Sequence, residues 1–222
     1  MRKILLLNPN TSTTTTTMMV RLAEHYFQLH APTQSVEVIG HTASSGPPMI
    51  TTESELTHAA LAIGSADTTS LARPYDGLMV AAFGDPGLDY LQQQLPDLPV
   101  VGIGQASMEA AADQGRRFGI ATTTPDLAHS TQHQVARYGL EACYTGIQLT
   151  ELPPLTLAQH PKAQTEALAR AVQQCLEQDQ AEAVIIGGGP LGEAAAQLRT
   201  RFKAPVISPI EAACERLIQT WR

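Results

Sequence analysis

The first candidate for chemistry is a polar segment that follows the first apolar run of the chain, Ile4–Leu7. The segment contains two carboxamides, Asn8 and Asn10, and two hydroxyls, Thr11 and Ser12. These side chains precede a predicted helix, whose first N–H groups are unpaired and carry a partial positive charge. The segment is therefore suited to binding a carboxylate or an imide oxygen. Plain helix capping is the alternative, because Asn and Ser are equally typical of that role.

The second candidate is a tight turn that follows another apolar run, Gly77–Phe83. The turn reads Phe-Gly-Asp-Pro-Gly-Leu-Asp over residues 83–89, and its two glycines and proline are typical of such turns. Asp85 is a candidate general base or ligand contact, and capping of the next helix is its alternative role. The residues expected to form a wall of the site here are Ala82, Phe83 and Gly84.

A glycine-rich turn, residues 187–193, is the third candidate and reads Gly-Gly-Gly-Pro-Leu-Gly-Glu. Glycines after a strand allow the backbone to approach a ligand closely. The turn lacks the Lys-Ser/Thr of a P-loop and the context of a dinucleotide fingerprint. Glu193 is either a candidate acid or base or a partner of the helix dipole. The expected wall residues are Gly187, Gly188 and Gly189.

Two further patterns contain polar side chains at helical or strand ends. Thr122 and Thr123 follow an apolar run and are predicted to bind a carboxylate or to cap the next helix. His129 and His133 have the i, i+4 spacing that can bind zinc on a helix. Because no third ligand accompanies them, we expect an exposed helical face and no metal site.

These segments depend on an alternation of short apolar runs and longer amphipathic stretches, which predicts an α/β fold with parallel sheets and helices on both faces. Ala82 lies 17 positions before Pro99, and Gly188 lies 17 positions before Pro205. This correspondence predicts two pseudo-symmetric, flavodoxin-like half-domains with a cleft between them, where open α/β sheets bind ligands. The half-domains are expected at residues 1–98 plus 206–222 and at residues 99–205. The predicted strands are Lys3–Leu7, Val36–Ile39, Gly77–Phe83, Pro99–Ile103, Gly119–Thr122, Val184–Ile186 and Pro205–Ile207, and the predicted helices include Thr13–Leu29, Met108–Arg116, Asp126–Tyr138, Lys162–Gln178 and Glu193–Phe202.

The composition limits the class of protein. The chain has 222 residues, 43 % of them hydrophobic and 16 % charged, which is typical of a folded globular protein. Its net charge of −7 argues against a nucleic-acid partner. No apolar run is long enough to cross a membrane. The three cysteines are too few and too scattered for a disulfide framework, which favours a cytoplasmic location.

Taken together, the segments resemble the aspartate/glutamate/hydantoin racemase superfamily, in its hydantoin and allantoin racemase branch. The resemblance runs from residue 1 to about residue 215. It implies two similar α/β half-domains, an active site between them, no cofactor or metal, a small carboxylate, imide or ureide ligand, and a homo-oligomer. It also implies proton transfer at a carbon next to a carbonyl, by two cysteines on opposite faces of the substrate. The motifs that carry it are residues 8–12, 83–88, 102–104 and 117–123.

The chain departs from this pattern at the two positions where the resemblance places the cysteines. Those positions hold Ala82 and Gly188, and neither side chain can transfer a proton. Three hypotheses follow: an enzyme that uses other acid or base groups, a binding or regulatory protein that kept the pocket, and a racemase with two non-cysteine bases. The candidate acids or bases are Asp85, Glu193 and Glu109. A cleft lined by a titratable side chain would favour the enzyme, and one lined by amides, hydroxyls and backbone would favour binding.

Overall fold

The computed structural model describes residues 1–221, which form two parallel β-sheets of four strands each. Parallel strands are buried on both faces, which explains their nearly continuous runs of Val, Ile and Leu. The first sheet consists of β1 (Arg2–Asn8), β2 (Val36–Thr42), β3 (Gly77–Val80) and β4 (Val100–Gly102). The second consists of β5 (Phe118–Thr122), β6 (Tyr144–Leu149), β7 (Ala183–Ile186) and β8 (Val206–Ile207).

Helices cover both faces of each sheet and enclose the buried side chains between themselves and the strands. Short 3₁₀ turns precede or follow several of them, at Asp113–Gly115, Pro125–Leu127 and Gly189–Leu191. The helices are α1 (Thr13–His30), α2 (Glu53–Ile63), α3 (Ala66–Ala72), α4 (Leu88–Gln94), α5 (Ile103–Ala111), α6 (Ala128–Arg137), α7 (Pro154–Ala158), α8 (Pro161–Glu177), α9 (Gly192–Arg199) and α10 (Pro209–Gln219).

The two sheets have the same strand order, β2-β1-β3-β4 in the first and β6-β5-β7-β8 in the second. The register repeats as well: Leu78 pairs with Val100 in the first sheet, and Val184 pairs with Val206 in the second. The repeated segments noted in the sequence are therefore the third and fourth strands of each sheet. The prediction of an α/β fold with two pseudo-symmetric half-domains is confirmed.

The chain passes from one sheet to the other slightly later than the expected boundaries. β4 pairs with β3 and belongs to the first sheet, and β8 pairs with β7 and belongs to the second. The sheets therefore change over after Gly102 and after Ile207, and not at 98/99 and 205/206. The C-terminal helix α10 returns to the first half, where Ile210 and Leu217 join its core. The division into two folding units at the expected boundaries stays a prediction.

Two predicted elements differ from the structure in a way that matters for the site. β3 ends at Val80 and not at Phe83, so that residues 81–84 form a loop at the end of the sheet. α5 begins at Ile103 and not at Met108. The carboxylate of Asp85 accepts from the N–H groups of Gly104 and Gln105, at 2.8 and 2.6 Å. These two hydrogen bonds satisfy N–H groups at the start of α5 that have no partner within the helix.

Within residues 1–221, none of the helices combines the length and the apolar character needed to cross a membrane.

Candidate active site

A cavity lies between the two half-domains, at the carboxyl ends of the strands of both sheets. It encloses about 610 Å³ between the protein atoms, including its opening to solvent. Loops after the first and third strands of each sheet contribute to its wall. The residues that line it are Asn10, Met49, Ile50, Leu56, Ala81, Ala82, Phe83, Gly84, Thr123, Thr124, Gln164, Gly187, Gly188, Gly189, Pro190 and Leu191.

Most of the residues predicted to bind a ligand line this cavity. The structure brings together eight of them from four loops, and it places the other four in the framework behind the wall. The lining residues are Asn10, Ala82, Phe83, Gly84, Thr123, Gly187, Gly188 and Gly189, and the framework residues are Asn8, Thr11, Ser12 and Thr122.

The amide of Asn10 is oriented by its neighbours. Its Oδ1 accepts from Asn8 Nδ2 at 2.9 Å and from the Ser12 N–H at 2.9 Å. The Asn8 amide also donates to Thr16 Oγ1, and both asparagines are buried. No hydrogen bond among residues 1–221 engages Asn10 Nδ2, and this donor group is therefore free for a ligand.

The other three framework residues hold the wall in place. Ser12 is the N-cap of α1, and its side chain accepts from the Thr15 N–H. Thr11 donates its N–H to the carbonyl of Pro47 and so attaches the loop between β2 and α2. Thr122 Oγ1 donates to the carbonyl of Gly187 at 2.6 Å, which joins the ends of β5 and β7. Capping, offered as the alternative for Ser12, is its observed role.

Two short runs of residues in the cavity wall have backbone N–H groups without protein partners. Within the described chain, no hydrogen bond uses the N–H groups of Ala82, Phe83 and Gly84, or those of Thr123 and Thr124. All five residues line the cavity. Backbone N–H groups held in this way can bind a carbonyl oxygen or an oxyanion without the cost of reorganisation.

Asp85 lies behind the cavity wall and is not among its lining residues. It is buried, and it adopts a left-handed backbone conformation with φ of 48°. Besides the two N–H groups of α5, Gln134 Nε2 and the Tyr138 hydroxyl donate to its Oδ2, at 2.8 and 2.7 Å. Burial raises the pKa of the Asp85 carboxyl to about 6, while these hydrogen bonds oppose the rise. Gln134 also donates to the carbonyl of Phe83, so the network holds the loop in position.

The other two candidate acids lie away from the cavity. Glu109 is on the outer side of α5, where its carboxylate accepts from Gln105 Nε2 and lies 3.7 Å from Arg216. Glu193 is exposed in the first turn of α9 and belongs to none of the cavity's walls. None of the three carboxylates proposed from the sequence therefore lines the cavity.

Part of the cavity wall was not predicted, and it includes three apolar residues and one further amide. Met49 and Ile50 come from the loop between β2 and α2, Leu56 comes from α2, and Gln164 comes from α8. Leu56 packs on Gly84, where an added Cβ would lie 2.7 Å from its Cδ1. Residues 43–51 are rich in Ser, Gly and Pro, which predicts a long loop, and long loops are often functional; the sequence offers no other signal for these wall residues.

The three cysteines do not contribute to the cavity wall. Cys175 and Cys214 are buried in the hydrophobic cores, where a free cysteine behaves as a small apolar residue, and Cys143 is half-buried. Burial raises the pKa of the Cys175 thiol to about 12 and that of Cys214 well above its usual value. Both thiols are thus protonated at neutral pH and poor nucleophiles.

The cavity can therefore bind but has no obvious group for proton transfer. Its polar surface consists of amide groups, the hydroxyls of Thr123 and Thr124, and backbone N–H groups. Among the lining residues, all of which the structure describes, none has an ionisable side chain.

Comparisons with known proteins agree with this architecture. A profile of the family described as Asp/Glu/Hydantoin racemase matches residues 4–217. A hydantoin racemase from Paenarthrobacter aurescens is 29 % identical over 213 residues, covering 96 % of this chain and 88 % of the relative. The allantoin racemase from Klebsiella pneumoniae superposes with a TM-score of 0.88 at 27 % identity, covering 100 % of this chain and 88 % of that one. The allantoin racemase from Pseudomonas fluorescens gives 0.87 at 25 % identity, covering 99 % and 91 %. The profile match extends over nearly the whole chain, and the chain therefore belongs to the Asp/Glu/hydantoin racemase family, with its similarities in the hydantoin and allantoin racemase branch.

Proposed function

We propose that this chain binds a small imide or ureide in the cavity between its half-domains and does not racemise it by the two-cysteine route. The observation that carries the proposal is the wall of the cavity, which offers N–H and O–H donors and no ionisable side chain. Imides and ureides expose several carbonyl oxygens and no charge, so they match such a wall. They also require no charged partner in the protein.

Because the wall has no charged side chain, it favours neutral ligands over charged ones. A free amino acid carries an ammonium group, which needs carboxylates or several carbonyl acceptors when it leaves water. The carbonyls of Phe83 and Gly187 already accept from Gln134 and Thr122. Among the described lining residues there is no carboxylate. A carboxylate ligand would have only neutral donors around it, and is the weaker of the expected ligands.

The apolar part of the cavity wall favours a substituted ring over a bare one. Met49, Ile50 and Leu56 line the cavity together with the polar loops and offer aliphatic surface. Burial of an apolar substituent against such surface contributes roughly 25 cal/mol per Å². We therefore expect a 5-alkyl-substituted hydantoin to bind more tightly than unsubstituted hydantoin.

Racemisation needs a proton donor and a proton acceptor on opposite faces of the ligand. The sequence resemblance places these groups at Ala82 and Gly188, both of which line the cavity. With neither group present, a bound hydantoin keeps its Cα–H bond. The resemblance further implies a cytoplasmic homo-oligomer that needs no cofactor, and these properties stay predictions.

The test combines binding with hydrogen exchange. The protein is incubated in D₂O with 5-substituted hydantoins, allantoin, aspartate, glutamate and small dicarboxylates, and proton NMR follows each compound. Line broadening of a hydantoin or allantoin with an unchanged α-proton signal supports the proposal. Loss of the α-proton, or a new compound, would support the alternative of an enzyme with non-cysteine chemistry. No interaction with any imide or ureide would contradict the proposal.

A gain-of-function variant sharpens the test. In Ala82→Cys/Gly188→Cys the two thiols would stand in one cavity, and we expect exchange of the α-proton of the hydantoin that binds. The backbone allows the change, because Gly188 has an extended φ of 161° and an added Cβ contacts only the Leu191 side chain, at 3.2 Å. The matched control is Ala82→Ser/Gly188→Ser, which has the same shape but cannot form a thiolate.

A further inference from the structure

Two histidine side chains of α6 converge at the surface next to the cavity. The Nε2 atoms of His129 and His133 lie 3.0 Å apart, with the ring planes at 89° to each other. Both residues are exposed, and their i, i+4 spacing places them one turn apart on the same helix face. The helix itself therefore holds the two nitrogens together. The sequence analysis treated this pair as an ordinary exposed face.

We propose that His129 and His133 bind one divalent transition-metal ion of the Cu²⁺ or Ni²⁺ class. Imidazole nitrogen suits both ions, and a metal–nitrogen bond is about 2.0–2.1 Å long. Two such bonds at a right angle place their nitrogens about 3.0 Å apart, and a tetrahedral angle places them about 3.4 Å apart. The observed separation of 3.0 Å, which is that of a hydrogen bond between the rings, is close to both values, and the square-planar and octahedral sites of Cu²⁺ and Ni²⁺ are compatible with it.

Binding requires no redox change. In the present arrangement one imidazole donates its Nε2–H to the Nε2 of the other. A metal needs the lone pairs of both Nε2 atoms, so the donating ring must carry its proton on Nδ1 instead. Exchange with solvent allows this change of tautomer, because both rings are exposed. Water occupies the remaining coordination positions.

The surroundings favour a cation. The pair borders a second cavity of about 810 Å³, which Glu53 of α2 and Arg137 of α6 also line. The Glu53 carboxylate accepts from Ser130 Oγ at 3.0 Å, and within residues 1–221 it takes part in no ion pair. The Arg137 guanidinium lies 3.3 Å from Asp89, which offsets its charge.

The position of the pair relates this site to the first cavity. Gln134 follows His133 directly and donates to the carbonyl of Phe83, in the loop with the free N–H groups. Leu56 and Gly84 line both cavities. An ion that bridges residues 129 and 133 would stiffen the helical turn next to Gln134, and Gln134 holds this loop through its hydrogen bond to Phe83.

The experiment uses the full chain without an affinity tag, in a metal-free buffer, titrated calorimetrically with NiCl₂ and with CuCl₂. We expect one ion per chain, and an affinity at least tenfold lower in His129→Gln and in His133→Gln. His58→Gln is the matched control, because His58 is an exposed histidine on α2 with no histidine one turn away, and its affinity should be unchanged. The electron paramagnetic resonance spectrum of the Cu²⁺ complex should show two nitrogen ligands in the unmodified chain.

A second readout is thermal unfolding, because an ion that binds only the folded state stabilises it by mass action. NiCl₂ should raise the Tm of the unmodified chain and of His58→Gln, but not that of His133→Gln. Absence of binding to the unmodified chain would overturn the proposal. Equal affinity in all four proteins would also overturn it, because the ion would then bind elsewhere.

Discussion

At the level of single residues, Asp85 shows how burial changes the role of a carboxylate. Four donors from α5 and α6 surround it, and its side chain does not reach the cavity. The sequence marked the turn around it, but the donors lie about 20 to 50 positions further along the chain and left no local pattern. Gln134, one of the four donors, also donates to the carbonyl of Phe83, and the network therefore helps to fix the loop at residues 82–84.

We expect Asp85→Asn to destabilise the protein by about 2–4 kcal/mol at pH 7. The new amide NH₂ group would meet groups that are themselves donors, and at least one buried donor would lose its partner. Urea unfolding measures the change. A variant as stable as the unmodified chain would mean that the four hydrogen bonds contribute nothing to the fold.

The pH dependence of this difference has a definite sign. Because burial raises the pKa of Asp85 from 3.8 to about 6, the folded chain binds more protons than the unfolded chain between those values. Its free energy of unfolding therefore falls as the pH rises through this window. We expect the stability advantage over Asp85→Asn to be larger at pH 4.5 than at pH 7, by on the order of 2 kcal/mol. An advantage that grows with pH would contradict the raised pKa.

Asn10 offers a substitution that separates binding from stability. Asn10→Asp keeps an Oδ1 acceptor for Asn8 and Ser12 but replaces the free Nδ2 donor with an acceptor. We expect at least a tenfold loss of affinity for the imide found by NMR, and the Tm of the same variant, measured beside it, gives the cost of placing a carboxylate at this buried position. Asn10→Ala should also weaken binding, but it costs about 1–2 kcal/mol of stability through the lost internal bonds. Unchanged affinity in both variants would exclude Asn10 from the binding site.

At the level of secondary-structure elements, the start of α2 matters because Leu56 in its first turns lines the cavity. The side chain of Thr52 accepts from the Glu55 N–H, and the Glu55 carboxylate accepts from the Thr52 N–H. These two hydrogen bonds form a capping box. The backbone N–H of Thr51, which also donates to this carboxylate, and that of Thr52 lower the pKa of Glu55. The helices named in the sequence analysis did not include α2, which follows a segment dominated by Ser, Gly and Pro.

We expect Thr52→Ala to lower the free energy of unfolding by about 1 kcal/mol, the usual cost of a lost N-cap. Thr57→Ala is the matched control, because Thr57 is an exposed residue of the same helix and Ala has the higher helix propensity. Relative to the unmodified chain, Thr52→Ala should lower the Tm and Thr57→Ala should raise it. Equal Tm values would show that the cap contributes nothing.

The elements that sequence patterns predicted well are the buried strands and the long amphipathic helices. Val184–Ile186 is an example, because an apolar run bounded by a polar residue and glycines has few other interpretations. α5 was predicted to begin too late, since its first turn depends on Asp85, a partner distant in sequence. Met49, Ile50 and Leu56 were not predicted as wall residues, because their place in the wall also depends on residues that are distant in sequence.

At the level of the whole molecule, close packing at Gly104 joins the two halves. An added Cβ there would lie 2.0 Å from the carbonyl oxygen of Phe83 and 2.5 Å from Gln134 Nε2. Neither group can move without breaking the Asp85 network. The strand repeat made the two halves predictable, but this contact between them was not, because it involves backbone atoms of a distant loop.

We therefore expect Gly104→Ala to cost at least 3 kcal/mol or to prevent folding, as overpacking against backbone does. Gly188→Ala is the matched control, since its Cβ meets only the flexible Leu191 side chain and should change stability by less than about 1 kcal/mol. Circular dichroism during thermal unfolding compares the two. Similar Tm values for both variants would contradict the close approach at Gly104.

The double passage of the chain between the sheets also limits how the halves can move. One passage runs through α5 and the other leads into α10, and these helices pack together through Ala106, Ala213 and Leu217. Because both passages between the sheets run through this packed pair, we expect any relative rotation of the halves to pivot about α5 and α10. Gln134 and Tyr138 donate to Asp85 from the other half, and these hydrogen bonds connect the two halves. We expect these two hydrogen bonds to one buried carboxylate to limit how far the cavity opens for a ligand.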